Sequence, residues 1–457
     1  MTFARPAVLL LIGVAVGGCA GLSDRLDDEA LQASIAQMSV SDVTLPDALV
    51  DQERRVAARP DDGYRDALRK AVLRSDTVQG SVRDLRSSQA TIRIARSALL
   101  PQFTGSATAG AVVERNAGDR AGAAADLSVS QLLFDGGATA AQIDATTARA
   151  YAAQAGVLIA GNDVAEEAAR AWVDVWHYNA RLSLLRARVA EVDGIRATLE
   201  QMISNGFIDR ASLAAAERQV LDIRMEEEQL QASLRSAQVR FQRLLGYAPG
   251  GVAAPQSLLA QGEPDGFRTL WRDAPELVVG AANLIALERD LQSAQAATRP
   301  TVALRAGVSS PLASSDNPNM TVGLTLQHQF GDGGRRAAEI EALQERLAGG
   351  RLEFEEGKRE AETELEANLS LYRSLVSGRA TLARQIEVIE RENSTLRSQL
   401  ASGQATLNQV VEGEVRYYRA RARQLELAAE LARLEIGMMA RTGVLTQRLG
   451  LDLDSLL

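Results

Sequence analysis

The feature that most narrows the folds open to this 457-residue chain is a passage written twice. Ser204–Glu217, SNGFIDRASLAAAE, returns as Ser402–Glu414, SGQATLNQVVEGE. Gly206 matches Gly403 and Glu217 matches Glu414, both at a spacing of 197 (403 − 206 and 414 − 217). The same spacing joins Gly136 of FDGG to Gly333 of FGDGG, and Gly246 to Gly443. One spacing held at landmarks so far apart marks a tandem duplication, and a repeat has to be recognised before a fold is assigned.

Each copy has the same layout: strand signals, an Asp-Gly-Gly break, a long helical run, a short glycine turn and a second helical run back. No proline interrupts Gly137–Ser204 or Gly334–Ser402, and Ala, Leu, Glu and Arg dominate both. Some 67 helical residues at about 1.5 Å each make roughly 100 Å, far beyond what a globular core needs. Gly206 and Gly403 are therefore expected at the tips of two long antiparallel hairpins. Function belongs along those hairpins and at their tips rather than in a pocket.

Composition agrees. Aromatic residues are only 4% although hydrophobic residues are 46%, the balance of long packed helices rather than compact cores. A net charge of −9 without a Lys/Arg cluster argues against nucleic acid. Two histidines, His177 and His328, and one cysteine leave no material for a disulfide framework or a zinc site.

Residues 1–18 read as a signal peptide: Arg5, the apolar run Ala7–Val16, then Gly17-Gly18. The run is too short to span a bilayer. The single cysteine, Cys19, follows at once, and Val16-Gly17-Gly18-Cys19 resembles a bacterial lipobox, in which the cysteine becomes the acylated first residue. The plainer alternative is an incidental cysteine beside an ordinary cleavage site. On the lipobox reading a covalent lipid (palmitate) on Cys19 anchors the chain, and Ala20 in place of Asp directs it to the outer membrane.

Residues 19–60 are polar and irregular, an extended lipidated segment. Repeat 1 is assigned to 61–246. Its first helix opens at Asp61-Asp62-Gly63 and runs to about Leu99, with Ala71, Ser75, Val78, Val82, Leu85, Gln89 and Ile92 as a heptad seam. Period-two alternation then predicts strands at 102–114 and 124–134, separated by a polar turn. Residues 247–272 are an inter-repeat linker or equatorial segment. Repeat 2, 273–443, has strands at 300–310 and 320–330, with His328 the one misfit on an apolar face, and 444–457 form a C-terminal segment. The last helix carries an unbroken four-three stripe, Val411, Val415, Tyr418, Ala422, Leu425, Ala429, Ala432, Ile436 and Met439, which suits a coiled-coil core.

Each strand is about ten residues, the length a tilted strand needs to cross a bilayer. A soluble sheet shows the same alternation; an exported, lipidated chain favours the membrane. Four strands cannot close a barrel, and open edges are not tolerated in lipid, so spanning strands require several chains to share one barrel.

Asp135-Gly136-Gly137 and Asp332-Gly333-Gly334 are not phosphate loops, because no Lys-Ser/Thr follows. They read as strand-to-helix corners in which glycine takes backbone angles others cannot and aspartate caps the helix. Phe103, Phe134 and Phe330 lie at strand ends and suit either an interfacial aromatic belt or packing. His177, beside Trp176 and Tyr178, reads as a packed side chain, and Glu226-Glu227-Glu228 as a solvated helix face. No acid/base pair, nucleophile set or metal cluster occurs at meaningful spacing, so an enzyme is not expected.

Strand, FDGG, long helix, Gly turn and return helix, duplicated behind a signal peptide, resemble the TolC-like outer-membrane efflux and secretion proteins. The lipobox resembles their lipoprotein, OprM-type branch. The resemblance covers about residues 60–445 and rests on QLLFDGG and SGQATLNQVVEGE, each doubled at one spacing. It implies an α+β membrane fold: a homotrimer sharing a twelve-stranded transmembrane β-barrel, four strands per protomer, above a long periplasmic α-helical barrel. It implies an exit duct of a tripartite efflux pump or type I secretion system, working with a periplasmic membrane-fusion adaptor and an inner-membrane pump of proton-driven or ABC type. The tips Asn205, Gly206, Phe207, Ser402 and Gly403 would dock the adaptor. Aligning on Gly403 puts the family's paired gate acids at Gln409 and Glu412; Gln409 breaks that pair, leaving Glu412 as a single acidic ring supported by Glu414, or as an ordinary solvated residue. No cofactor or metal is implied beyond the Cys19 lipid. The competing reading is a periplasmic adaptor-like hairpin protein without a channel; such proteins usually carry one hairpin, not two.

Overall fold

The computed structural model describes residues 58–60, 62–112, 120–204, 211–259, 263–311, 318–402 and 404–452. Cys19, Asn205, Gly206, Phe207 and Gly403 lie outside them. In chain order the elements are α1 (Tyr64–Arg74), α2 (Asp76–Ser97), β1 (Gln102–Val112), β2 (Arg120–Phe134), α3 (Ala138–Ser204), α4 (Ala211–Leu245), a 3-10 helix (Glu263–Asp273), α5 (Pro275–Ala296), β3 (Thr301–Pro311), β4 (Asn319–Gln327), α6 (Arg335–Ala401), α7 (Leu407–Arg441) and α8 (Val444–Arg448). The duplication is visible in the element lengths. α3 and α6 are each 67 residues, α4 and α7 each 35, and α2 and α5 each 22.

The described residues fall into two compact units. The first comprises 83–156 and 276–357; the second comprises 58–82, 157–275 and 358–452. In the first unit, one antiparallel sheet has the order β1-β2-β3-β4, so the two hairpins, one per repeat, meet at β2 and β3. α3 packs on α5 through Ala148, Tyr151, Ala282, Ile285 and Ala286. Arg149 pairs with Asp290, and the Ser293 hydroxyl donates to the Ala138 carbonyl at 2.9 Å. α6 comes close to α5 where a side chain at Gly350 would touch Leu287 and one at Gly280 would touch Phe354.

The second unit is built on Leu182, Leu185, Ile223, Leu230 and Tyr418, drawn from α3, α4 and α7. Tyr64, Trp172, Phe241 and Tyr247 form a chain of aromatic contacts with centroids 5.5, 5.7 and 5.2 Å apart. Arg74 finishes this corner by donating to the Arg243 and Leu244 carbonyls, which have no partner inside α4 once the helix ends. No member of the Val411–Met439 stripe is exposed, as expected of a core seam.

Two expectations change. The helix expected from 61 to 99 is two helices, because Ser75 is extended (φ −65°, ψ 126°) and Gln79 bonds back to its carbonyl, restarting the helix at a residue suited to that role. β4 ends at Gln327, so His328 and Phe330 lie past the strand, stacked edge-to-face at 4.7 Å. His328 is thus no misfit on a strand face. β2 alternates poorly for a geometric reason: the register slips between Leu132 and Phe134, a bulge that turns Phe134 to the side of Val302.

Candidate functional site

The sheet has two unlike faces. Residues paired across antiparallel strands point the same way, so the register defines them. On one face lie the rows Phe103–Val129–Ala306–Val322 and Gly105–Leu127–Val308–Met320, continued by Leu304–Leu324 and Val302–Leu326. On the other lie Gln102–Ser130–Arg305–Gly323, Thr104–Ser128–Gly307–Thr321 and Ser106–Asp126–Ser309–Asn319. The apolar face is bare: Phe103, Leu324 and Leu326 are each 70% exposed, and Val322 is 65% exposed. Both outer strands, β1 and β4, have one unpaired edge. In water such a face and such edges invite association. In a bilayer they suit a closed barrel with lipid on the apolar side and water on the polar side.

The two corners share one geometry. Gly136 and Gly137 have φ of 73° and 92°, and Gly333 and Gly334 have φ of 67° and 90°, the left-handed region that a Cβ disfavours. Asp135 accepts from the Gly137 and Thr139 amides at 2.9 and 2.7 Å; Asp332 accepts from the Gly334 and Arg336 amides at 3.1 and 3.2 Å. Each aspartate thereby satisfies amides that open a long helix. The corners differ in surroundings. Arg299 donates to the Gly136 carbonyl at 3.0 Å, whereas nothing lies within 4 Å of a Cβ at Gly333.

At the second turn, Ser402 is exposed and its hydroxyl donates to the Gln399 carbonyl at 3.1 Å. Gln409 serves α7 rather than any acidic ring. Thr406 is the N-cap, its hydroxyl accepts from the Gln409 amide, and the Gln409 side chain accepts from the Thr406 amide at 2.8 Å. Glu412 is exposed. Glu414 is buried and paired with Arg397 of α6 at 2.6 Å, so it does not support a ring of free carboxylates. Next to it, Gly413 lets α7 lie against α6, where a Cβ would overlap the buried Asn393 side chain.

Further along the hairpins, Glu226 is a joint rather than a solvated residue. Arg181 of α3 reaches it at 2.9 Å, and the Tyr418 hydroxyl of α7 donates to it at 2.6 Å. Arg188 lies over the Tyr418 ring at 4.4 Å. Burial, then the Glu226 carboxylate, pushes the Tyr418 hydroxyl up to about 12, so it remains a donor at neutral pH. Asp174 likewise binds Arg240 at 3.0 Å and Arg433 at 2.7 Å, tying α3 to α4 and α7. His177 is buried edge-on to Tyr178, and its pKa is lowered by burial and by Arg433 and Arg181, so it is neutral at pH 7. Among the described residues no group of three or more His, Cys, Asp or Glu is placed to hold a metal ion. Sequence reasoning missed the Glu226–Tyr418 and Asp174–Arg433 contacts because their partners lie 192 and 259 positions apart.

Residues 67–247 match the family described as outer membrane efflux protein. A curated relative, the outer membrane efflux protein BepC of Brucella suis biovar 1 (strain 1330), is 21% identical over 296 residues, 63% of this chain and 65% of BepC. The match therefore spans just under two thirds of that relative. Among solved structures, CusC gives a TM-score of 0.73 at 16% identity, covering 90% of this chain and 99% of CusC. The Vibrio cholerae outer membrane protein VceC gives 0.74 at 17%, covering 83% and 96%, and the open state of the Neisseria gonorrhoeae MtrE outer membrane channel gives 0.71 at 16%, covering 89% and 94%. At these identities the likeness establishes the fold.

Proposed function

From the match of residues 67–247 to the outer membrane efflux protein family, we propose that the chain is an outer-membrane exit duct serving an inner-membrane pump through a periplasmic adaptor. The observation that carries this reading is the sheet. Its bare apolar face, its polar face and its two open edges make sense together only when β1 and β4 pair with neighbouring copies. Each backbone group left unpaired in lipid costs several kcal/mol, so closure is compulsory once the strands insert. Three copies give twelve strands, the homotrimer expected from the resemblance. Cys19 bears the lipid that holds the chain at the outer membrane, and the turns near Gly206 and Gly403 meet the adaptor.

Opening is a movement of the second hairpin relative to the first. α7 is tied to the first hairpin by Tyr418–Glu226 and Arg433–Asp174, so these contacts favour the resting arrangement. Glu412, exposed just beyond the turn, supplies one carboxylate per protomer at the entrance. A ring of three would draw cations and hinder anions. An adaptor-like hairpin protein without a channel leaves the sheet unexplained.

The test is single-channel recording of the purified protein in planar bilayers, wild type beside Glu412→Ala. Discrete openings that gain conductance or lose cation preference in the variant support both the duct and the acidic entrance. Unchanged openings remove Glu412 from the gate. Folded, oligomeric protein that never conducts refutes the duct.

A further inference from the structure

Among strand residues whose side chains are described, charge is confined to two positions, Asp126 on β2 and Arg305 on β3. Both lie on the polar face, in different rows. Arg305 shares its row with Gln102, Ser130 and Gly323, next to the sheet end from which the chain leaves for the Asp135 corner. Asp126 sits opposite Ser309, four residues further along β3 toward the far end. The row between them, Thr104–Ser128–Gly307–Thr321, is neutral and small. Arg305 is exposed, as a side chain directed into water should be.

We infer that Arg305 and Asp126 set the ionic selectivity of the barrel lumen as two opposed charge rings, a positive one toward the helices and a negative one toward the outside. This rests on the duct reading above. A threefold axis places like residues at one height, so each position becomes a ring of three charges. Four residues along a strand are about 13 Å, or roughly 10 Å along the axis of a barrel whose strands tilt by about 40°. That separation is close to the Debye length of about 8 to 10 Å at physiological salt, so each ring acts on passing ions largely by itself. At about 0.01 M salt the Debye length is roughly 30 Å and the two rings offset one another. The arrangement suits solutes that carry both signs or neither. A strongly anionic solute is drawn to Arg305 and opposed at Asp126, and a strongly cationic one meets the reverse.

The experiment measures the zero-current potential of the full-length protein in a potassium chloride gradient, comparing wild type, Arg305→Gln and Asp126→Asn. Three unit charges within about 10 Å of the ion path, screened at about 0.1 M salt, predict a roughly two- to fivefold change in the potassium-to-chloride permeability ratio. Arg305→Gln shifts it toward potassium and Asp126→Asn toward chloride, and both shifts shrink in 1 M salt. Arg305→Cys, modified in place by a water-soluble cationic thiol reagent, restores the wild-type ratio. Channels that conduct normally with the same ratio in all variants overturn the ring assignment and leave the duct standing. Absence of conductance in wild type overturns the duct itself. An Arg305→Cys side chain that reacts only with membrane-soluble reagents overturns the inward orientation of this face.

Discussion

The duplication supplies a matched pair of glycines that separates backbone strain from packing. Gly136 and Gly333 occupy equivalent corners with φ of 73° and 67°. Replacement by alanine imposes the same left-handed penalty at both, about 1 to 2 kcal/mol. At Gly333 the new methyl meets nothing within 4 Å. At Gly136 it meets Arg299 Cδ at 2.6 Å, Arg299 Cβ at 3.0 Å and the Ala296 carbonyl at 3.1 Å. The arginine can swing aside, but it then gives up its bond to the Gly136 carbonyl, an exposed contact contributing about 0.5 to 1 kcal/mol. The Ala296 carbonyl belongs to the backbone ending α5 and moves only with it. Crowding adds about another 1 kcal/mol. Gly333→Ala is therefore expected to cost about 1 to 2 kcal/mol and Gly136→Ala about 3. The assay is denaturant unfolding of both variants in the same detergent, followed by circular dichroism and by proteolysis. In an Arg299→Ala background the hydrogen bond is already gone and the 2.6 Å contact is removed, so Gly136→Ala should cost about 0.5 to 1 kcal/mol less there than in wild type, because effects that share a partner are not additive. Equal midpoints for the two single variants, or a larger loss at Gly333, would refute the packing argument and leave φ as the whole explanation.

Two further outcomes follow from the helical unit. Tyr418→Phe removes the donor to Glu226 while Arg181 still holds that carboxylate, so the chain should fold with a loss near 1 kcal/mol. Open probability in bilayers should rise several-fold; an unaltered gating record shows that this contact does not restrain the hairpins. Glu435 is buried, takes a 2.7 Å hydrogen bond from Ser257, and has its pKa raised above 4.5 by burial, with Ser257 and Arg379 opposing. The folded state thus binds a proton that the unfolded chain has released, so this contribution to stability is complete below about pH 4.5 and is lost as pH rises through the higher folded value. Glu435→Gln should flatten that part of the stability profile and raise the unfolding midpoint at pH 7. A wild-type slope retained in the variant assigns the titration to another group.

What could be read from residues alone is what local physics encodes. Left-handed backbone selects glycine, so Gly136, Gly137, Gly333 and Gly334 are visible without any knowledge of their surroundings. A strand with one wet and one dry face must alternate with period two, and β1, β3 and β4 do so. Helices without proline run on, and α3 and α6 reach 67 residues each. The tertiary structure decided what depends on a distant partner. Only the β2–β3 register shows that two separately encoded hairpins share one apolar face, and only there does the bulge between Leu132 and Phe134 explain the broken alternation of β2. Glu226 reads as solvated in a row of three glutamates until Tyr418 and Arg181 are found against it. Gln409 reads as a failed gate acid until Thr406 shows it to be half of a helix cap. Glu414 reads as a spare carboxylate until Arg397 closes on it. Periodicity records how a segment divides its surface between two environments. The neighbour that supplies each environment comes from packing, and that packing assigned Glu226, Gln409 and Glu414 their contacts.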